Sequence, residues 1–156
     1  MLENEKNAGI LTTIANIYAE KGNSSHNAFF LKAAHQVSGY NKYSFLKIYS
    51  AFLKDKPDDV INSGIPMIED IAINSSVWWM RLGGVQVLGD LYSRYKEKEL
   101  ALAEKLKKTS PNSDEEIQLN QTMKNVTEQK EALHGLLLKI KEKETNKNLT
   151  KFLEAF

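Results

Sequence analysis

Cysteine is absent from this 156-residue chain. Disulfide scaffolds, thiolate zinc sites, iron–sulfur clusters and cysteine nucleophiles are excluded with it. A chain without cysteine is at home in either redox compartment, so the compartment stays open. A surplus of either charge is also lacking, because 21 Lys and Arg face 20 Asp and Glu. The balance holds along the chain, with 8 of each sign in residues 1–89 and 13 basic against 12 acidic in residues 90–156. Neither part has the basic excess that binding to a phosphate backbone needs, and no nucleic-acid partner is expected. No apolar run approaches the roughly 18 residues of a membrane-spanning helix, so no membrane span is expected. The opening MLENEKNAGIL puts acids where a secretory leader would carry a basic region. Val and Thr are few, and no two-residue turn separates alternating apolar runs, which argues against strands.

Catalytic signatures are missing too. There is no G-x-S-x-G elbow, Walker loop, G-x-G-x-x-G or HExxH. The three histidines, His26, His35 and His134, share no helix-turn spacing with one another. His134, in ALHGLLL, is expected to border a helix seam rather than hold a metal. Asp58 and Asp59 follow Pro57, where acids suit a helix start. Glu69 and Asp70 lie opposite Ile68 and Ala72, as on a solvated face. No catalytic residue, metal ligand or cofactor is assigned to the chain.

What is present reads as helices packed in one domain, residues 1–156. Ile10, Leu11, Ile14, Ile17 and Tyr18 form a stripe over residues 4–21, with Gly22 placed as a left-handed cap. A second helix is expected from Ser24 or Ser25 to near Gly39. A third carries Phe45, Ile48, Tyr49, Phe52 and Leu53, and Pro57 stops it. In residues 58–73, Pro66 loses a backbone bond and crowds the Asn62 carbonyl. That predicts either a kink near Ile65 or a short turn followed by a helix starting at Pro66. Ser75 or Ser76 is expected to cap the next helix. Residues 1–74 thus form stacked helix pairs.

From residue 75 to 143 the spacing changes. Leu88, Tyr92, Tyr95, Glu99, Leu102 and Leu106 alternate steps of four and three, and so do Leu119, Met123, Val126, Lys130, Leu133, Leu137 and Ile140. Such alternation defines a heptad seam and predicts a long antiparallel, coiled-coil-like hairpin. Its turn falls near residues 109–113, where Pro111 ends one helix and Ser113 caps the next. Facing Leu106 with Leu119 gives residue numbers that sum to 225, and the same sum pairs every seam residue from Leu88 to Leu137. Glu99 and Lys130 are then charged intruders one layer apart, and a salt bridge between them would help fix the register. Residues 148–156 read as a short C-terminal helix that docks back.

Gly83, Gly84 and Gly89 interrupt a helical pattern at about 1 kcal/mol each relative to alanine, which points to a close neighbouring backbone. Trp78 and Trp79, about 100° apart on a helix, are expected to be one buried and one exposed. With Arg81 and Tyr95 they are the candidate packing or partner surface.

Residues Met80 to Leu91 resemble the second helix of a HEAT repeat, with Arg81, Gly84, Leu88, Gly89 and Leu91 in the pattern positions. The fold expected is therefore all-α, with HEAT/ARM-like stacked helical hairpins ending in the long hairpin. Over nearly its whole length the chain also resembles the C-terminal helical region of bacterial M1-family zinc aminopeptidases. The residues that carry this are Tyr18-Ala19-Glu20-Lys21-Gly22, Gly39-Tyr40 and Trp78-Trp79-x-Arg81. The resemblance implies a parent enzyme that removes N-terminal residues from peptides with a zinc-bound water. Its HExxH, downstream Glu and Gly-x-Met-x-Asn motifs have no counterpart here. The chain would then be a non-catalytic piece whose partner is the parent's catalytic domain, touching peptide substrate only indirectly by limiting access. The compartment would be bacterial cytoplasm or periplasm. The alternative is a free-standing HEAT-like scaffold that binds a protein partner.

Overall fold

Each apolar stripe of the sequence becomes a helix in the computed structural model, which describes residues 8–37 and 39–156. Among the described residues seven helices pack together: α1 (Ala8–Lys21), α2 (Asn27–Ala33), α3 (Tyr40–Phe52), α4 (Asp58–Asn74), α5 (Trp78–Lys108), α6 (Asp114–Lys143) and α7 (Lys147–Leu153). No strand occurs among the described residues. The expected helix over 4–21 begins at Ala8, and residues 4–7 lie outside the described ones.

The core starts from aromatic residues at helical spacing. Phe30 of α2 is fully buried against Phe52, Tyr49 and Phe45 of α3, with ring centroids 4.5, 5.0 and 5.7 Å away. The Tyr49 hydroxyl donates to Asn27 Oδ1 at 2.7 Å, and Asn27 Nδ2 donates to Ser63 Oγ at 2.9 Å. Burial raises the Tyr49 phenol well above its ordinary value, so this buried hydroxyl stays a donor. The chain ties α2, α3 and α4 together without leaving a buried polar group unpaired.

Several local expectations are corrected. Gly22 is not left-handed; its amide donates to the Tyr18 carbonyl, and the glycine with positive φ is Gly39, at the N-cap of α3. Residues 24–26 form a 3-10 turn ahead of α2 because Asn23 caps it, accepting from the Ser25 amide while His26 Nδ1 accepts from the Asn23 amide. Helix α4 runs unbroken through Pro66, with no restart there. Asn62 and Pro66 both face out, so the carbonyl that proline deprives of a partner can meet solvent. Neither Ser75 nor Ser76 caps α5: Ser75 ends α4, and the α5 N-cap is Val77 without a side-chain bond.

The two long helices pack on each other across the 109–113 turn. Ser113 Oγ accepts from the Glu116 amide at 3.1 Å and caps α6. Near the base Leu88, Leu91, Leu133, Leu137 and Ile140 are fully buried. Towards the turn Leu102, Leu106, Leu119 and Met123 are only half-covered, and Leu100 and Ile117 are exposed. The base is covered by α3, α4 and α7 as well, whereas the tip is two helices alone.

Candidate functional site

The three glycines of α5 each admit a different neighbour. A Cβ on Gly83 would lie 3.2 Å from the Tyr43 Cα of α3, and one on Gly84 would lie 2.9 Å from the Ala72 backbone nitrogen of α4. One on Gly89 would lie 2.6 Å from the Phe156 ring. At Gly84 a Cβ would force α4 away from α5, at Gly83 it would press on α3 by a few tenths of an ångström, and at Gly89 it would displace the Phe156 ring, which is why the chain accepts glycine's poor helix propensity here.

Arg81 sits at a junction of four elements. Its Nε donates to Glu144 Oε2 and its Nη2 to Glu144 Oε1, both at 2.9 Å, while Nη1 donates to the Ser75 carbonyl at 2.9 Å. Glu144 Oε1 also accepts from the Thr145 and Asn146 amides at 3.0 and 2.9 Å. Asn146 in turn caps α7. The Glu144 side chain is 2% exposed. Burial alone would raise its carboxyl pKa, but the Arg81 bond, the two amide bonds and the Arg81 charge outweigh that and hold it below the ordinary value. Bonding to Glu144 raises the Arg81 guanidinium further, so it stays charged. The residue numbers 81 and 144 also sum to 225, two seam steps beyond the pairing of Leu88 with Leu137.

Glu99 and Lys130 are brought together, with Lys130 Nζ 2.7 Å from Glu99 Oε2. Both are partly covered by the hairpin. If this pair sets the register, a double-mutant cycle with Glu99→Ala and Lys130→Ala should give about 0.5–1 kcal/mol of coupling in urea unfolding. Additive losses would remove that role.

Tyr95 is buried, and its hydroxyl donates to Asp58 Oδ1 at 2.5 Å. Burial, then the Asp58 bond and charge, raise its pKa and keep it protonated. Trp78 and Trp79 depart from the one-buried, one-exposed expectation. Trp78 is half-buried and Trp79 is 36% exposed, so neither is fully buried. With Tyr40, Tyr43 and Leu82 they line a shallow groove of about 360 Å³. Tyr40 is 67% exposed, and its ring lies 5.6 Å from that of Tyr43.

The histidines are occupied differently. His26 stacks on Tyr18 at 4.1 Å, His35 faces solvent, and His134 stacks on Tyr92 at 5.4 Å with Nε2 2.7 Å from the Phe156 carbonyl oxygen. Among the described residues no group of three or more His, Asp or Glu side chains converges as a metal site. A polar link missed in the sequence joins α3 to α5: Ser50 Oγ donates to Asp90 Oδ2 at 2.8 Å, and Arg94 Nη2 donates to the Ser50 carbonyl at 2.8 Å. Comparison with protein-family models, curated proteins and solved structures finds no match for the chain.

Proposed function

We propose that the chain is a non-catalytic helical domain that acts by packing against another protein domain. The observation that carries this reading is the aromatic face of Tyr40, Tyr43, Trp78, Trp79 and Leu82. Tryptophan and tyrosine on rigid helices offer large contact area at little entropic cost, and they are the residues on which binding energy concentrates. In the form the sequence resemblance gives it, the domain is HEAT-like and belongs to an M1-type zinc aminopeptidase. Its partner is then the catalytic domain of the same polypeptide, which carries the zinc. There the helical domain helps enclose the active-site chamber and limits which peptides enter. Support for the HEAT-like reading comes from the close approach of α4 and α5 at Ala72 and Gly84, as expected for the two helices of one repeat. The alternative is a free-standing HEAT-like scaffold that offers the same face to a separate protein.

The reading frame upstream of Met1 separates the two. An in-frame HExxH with a later Glu supports the aminopeptidase reading; a stop codon and ribosome-binding site directly before Met1 supports the scaffold. In the first case, the double variant Tyr40→Ala, Trp79→Ala is expected to weaken association with the separately expressed upstream domain at least about tenfold. Its circular dichroism should be unchanged, and a stability loss of about 1–3 kcal/mol is expected because Trp79 is largely covered, so association is compared where both forms are fully folded. Unchanged association would take this face out of the proposal.

A further inference from the structure

A second cleft, of about 380 Å³, opens between the start of α4 and the outer half of the hairpin. That volume falls within the roughly 300–1,000 Å³ of small-molecule sites. Its floor is apolar, made by Ala101 and Leu102 of α5 and Val126 of α6, and Tyr95 closes the inner end. Lys98 and Lys105 stand on its rim. They are seven residues apart on one helix face, about 10 Å along the axis. Neither is in a salt bridge among the described residues, whereas Lys107, Lys124, Lys130 and Lys139 of the same two helices are and Lys96, Lys108, Lys141 and Lys143 are not; what sets Lys98 and Lys105 apart is that both border this cleft. Lys98 instead lies over the Tyr95 ring, its Nζ 4.9 Å from the centroid. The cleft's acid is Asp58, whose Oδ1 already accepts from Tyr95. Two free cations against one engaged carboxylate leave the cleft formally at +1 above an oily floor.

We propose that this cleft binds a small amphipathic anion, an apolar body bearing one carboxylate, with the body on Ala101, Leu102 and Val126 and the carboxylate held by Lys98 or Lys105. Charge complementarity carries the choice: the floor rewards an apolar chain, and the unpaired lysines reward one negative charge at its end. The site is about 28 Å along α5 from Trp79, so it goes beyond the packing role and does not depend on it.

The test titrates decanoate into the full chain by calorimetry at low ionic strength, where one saturable site is expected. Decanol, the same body without the charge, should bind at least about tenfold more weakly. The double variant Lys98→Glu, Lys105→Glu should weaken decanoate by a similar factor, about 1.4 kcal/mol, while the matching pair of arginine changes retains it. Ala101→Trp, at an exposed helix position, should fill the cleft and abolish binding with circular dichroism unchanged. If the glutamate variant does not fold, Ala101→Trp alone decides. No saturable binding, decanol equal to decanoate, or decanoate retained by Ala101→Trp would each overturn the proposal.

Discussion

Gly84→Val is expected to lose more than about 3 kcal/mol of stability, and Gly84→Ala about 1–2 kcal/mol, both read from urea unfolding midpoints. A Cβ here meets the backbone nitrogen and Cβ of Ala72 at 2.9 Å and the Ile68 carbonyl oxygen at 3.0 Å. Backbone cannot rotate aside as a side chain can, so α4 and α5 must separate. Separation exposes Ile68, Ala72 and Val85, all fully buried in the native packing. Alanine's better helix propensity, about 1 kcal/mol, offsets only part of the overpacking penalty. Gly135→Ala in α6 is the control. A Cβ there meets nothing within 4 Å, so the change should stabilise by up to about 1 kcal/mol. If both alanine variants move the midpoint the same way, the close approach at Gly84 is not what fixes that residue.

The Arg81–Glu144 junction should give an effect of similar size with a pH signature. Glu144→Ala leaves the guanidinium, on a side chain only 16% exposed, without its counter-charge, and removal of one partner of a buried pair costs about 3–5 kcal/mol. It also strips acceptors from the Thr145 and Asn146 amides, loosening the entry to α7. In the folded protein the Glu144 carboxyl is held below its ordinary value of 4.5. Its contribution is therefore complete above the unfolded pKa and disappears as pH falls through the folded one, because only the unfolded state then gains a proton first. Unfolding measured from pH 7 down to pH 3 should show stability falling below about pH 5 in the parent chain, and Glu144→Gln should flatten that slope. Identical slopes would mean that other carboxylates govern the acid limb.

Much of this architecture was legible because it is written at short range. The alternating four-and-three steps from Leu88 to Leu106 and from Leu119 to Ile140 mark a stripe, and every residue in it is buried or half-buried. Gly83, Gly84 and Gly89 pointed to close neighbours by their cost alone, though which neighbour each admits was not readable. The Arg81–Glu144 junction, the Ser50–Asp90–Arg94 link and the Tyr95–Asp58 bond join residues 37 to 63 positions apart, where no local pattern reports a partner. Helix starts were misread where two capping candidates competed. Asn23 stands ahead of Ser24 and Ser25, and at Ser75 the carbonyl, engaged by Arg81, matters more than the hydroxyl. The helix does not restart at Pro66, because the penalty for an interior proline falls when the stranded carbonyl lies on the wet face. Of the tryptophan pair one is exposed as the spacing suggests, but the other is only half-buried, because the roughly 100° between them straddles the edge of the packed face.

Phe156 fills the hollow left at Gly89, its ring edge-on to Tyr92 at 5.9 Å and its carbonyl oxygen beside His134. Those walls come from both long helices, so the hollow does not exist until α5 and α6 have paired. Helix α7, with Leu149 and Leu153 fully buried beneath it, has the same requirement. Docking of the closing segment therefore requires the paired hairpin. Until that segment docks, the apolar surface it covers with Leu149, Leu153 and Phe156 faces solvent, and an undocked closing segment leaves the chain open to association with others of its kind.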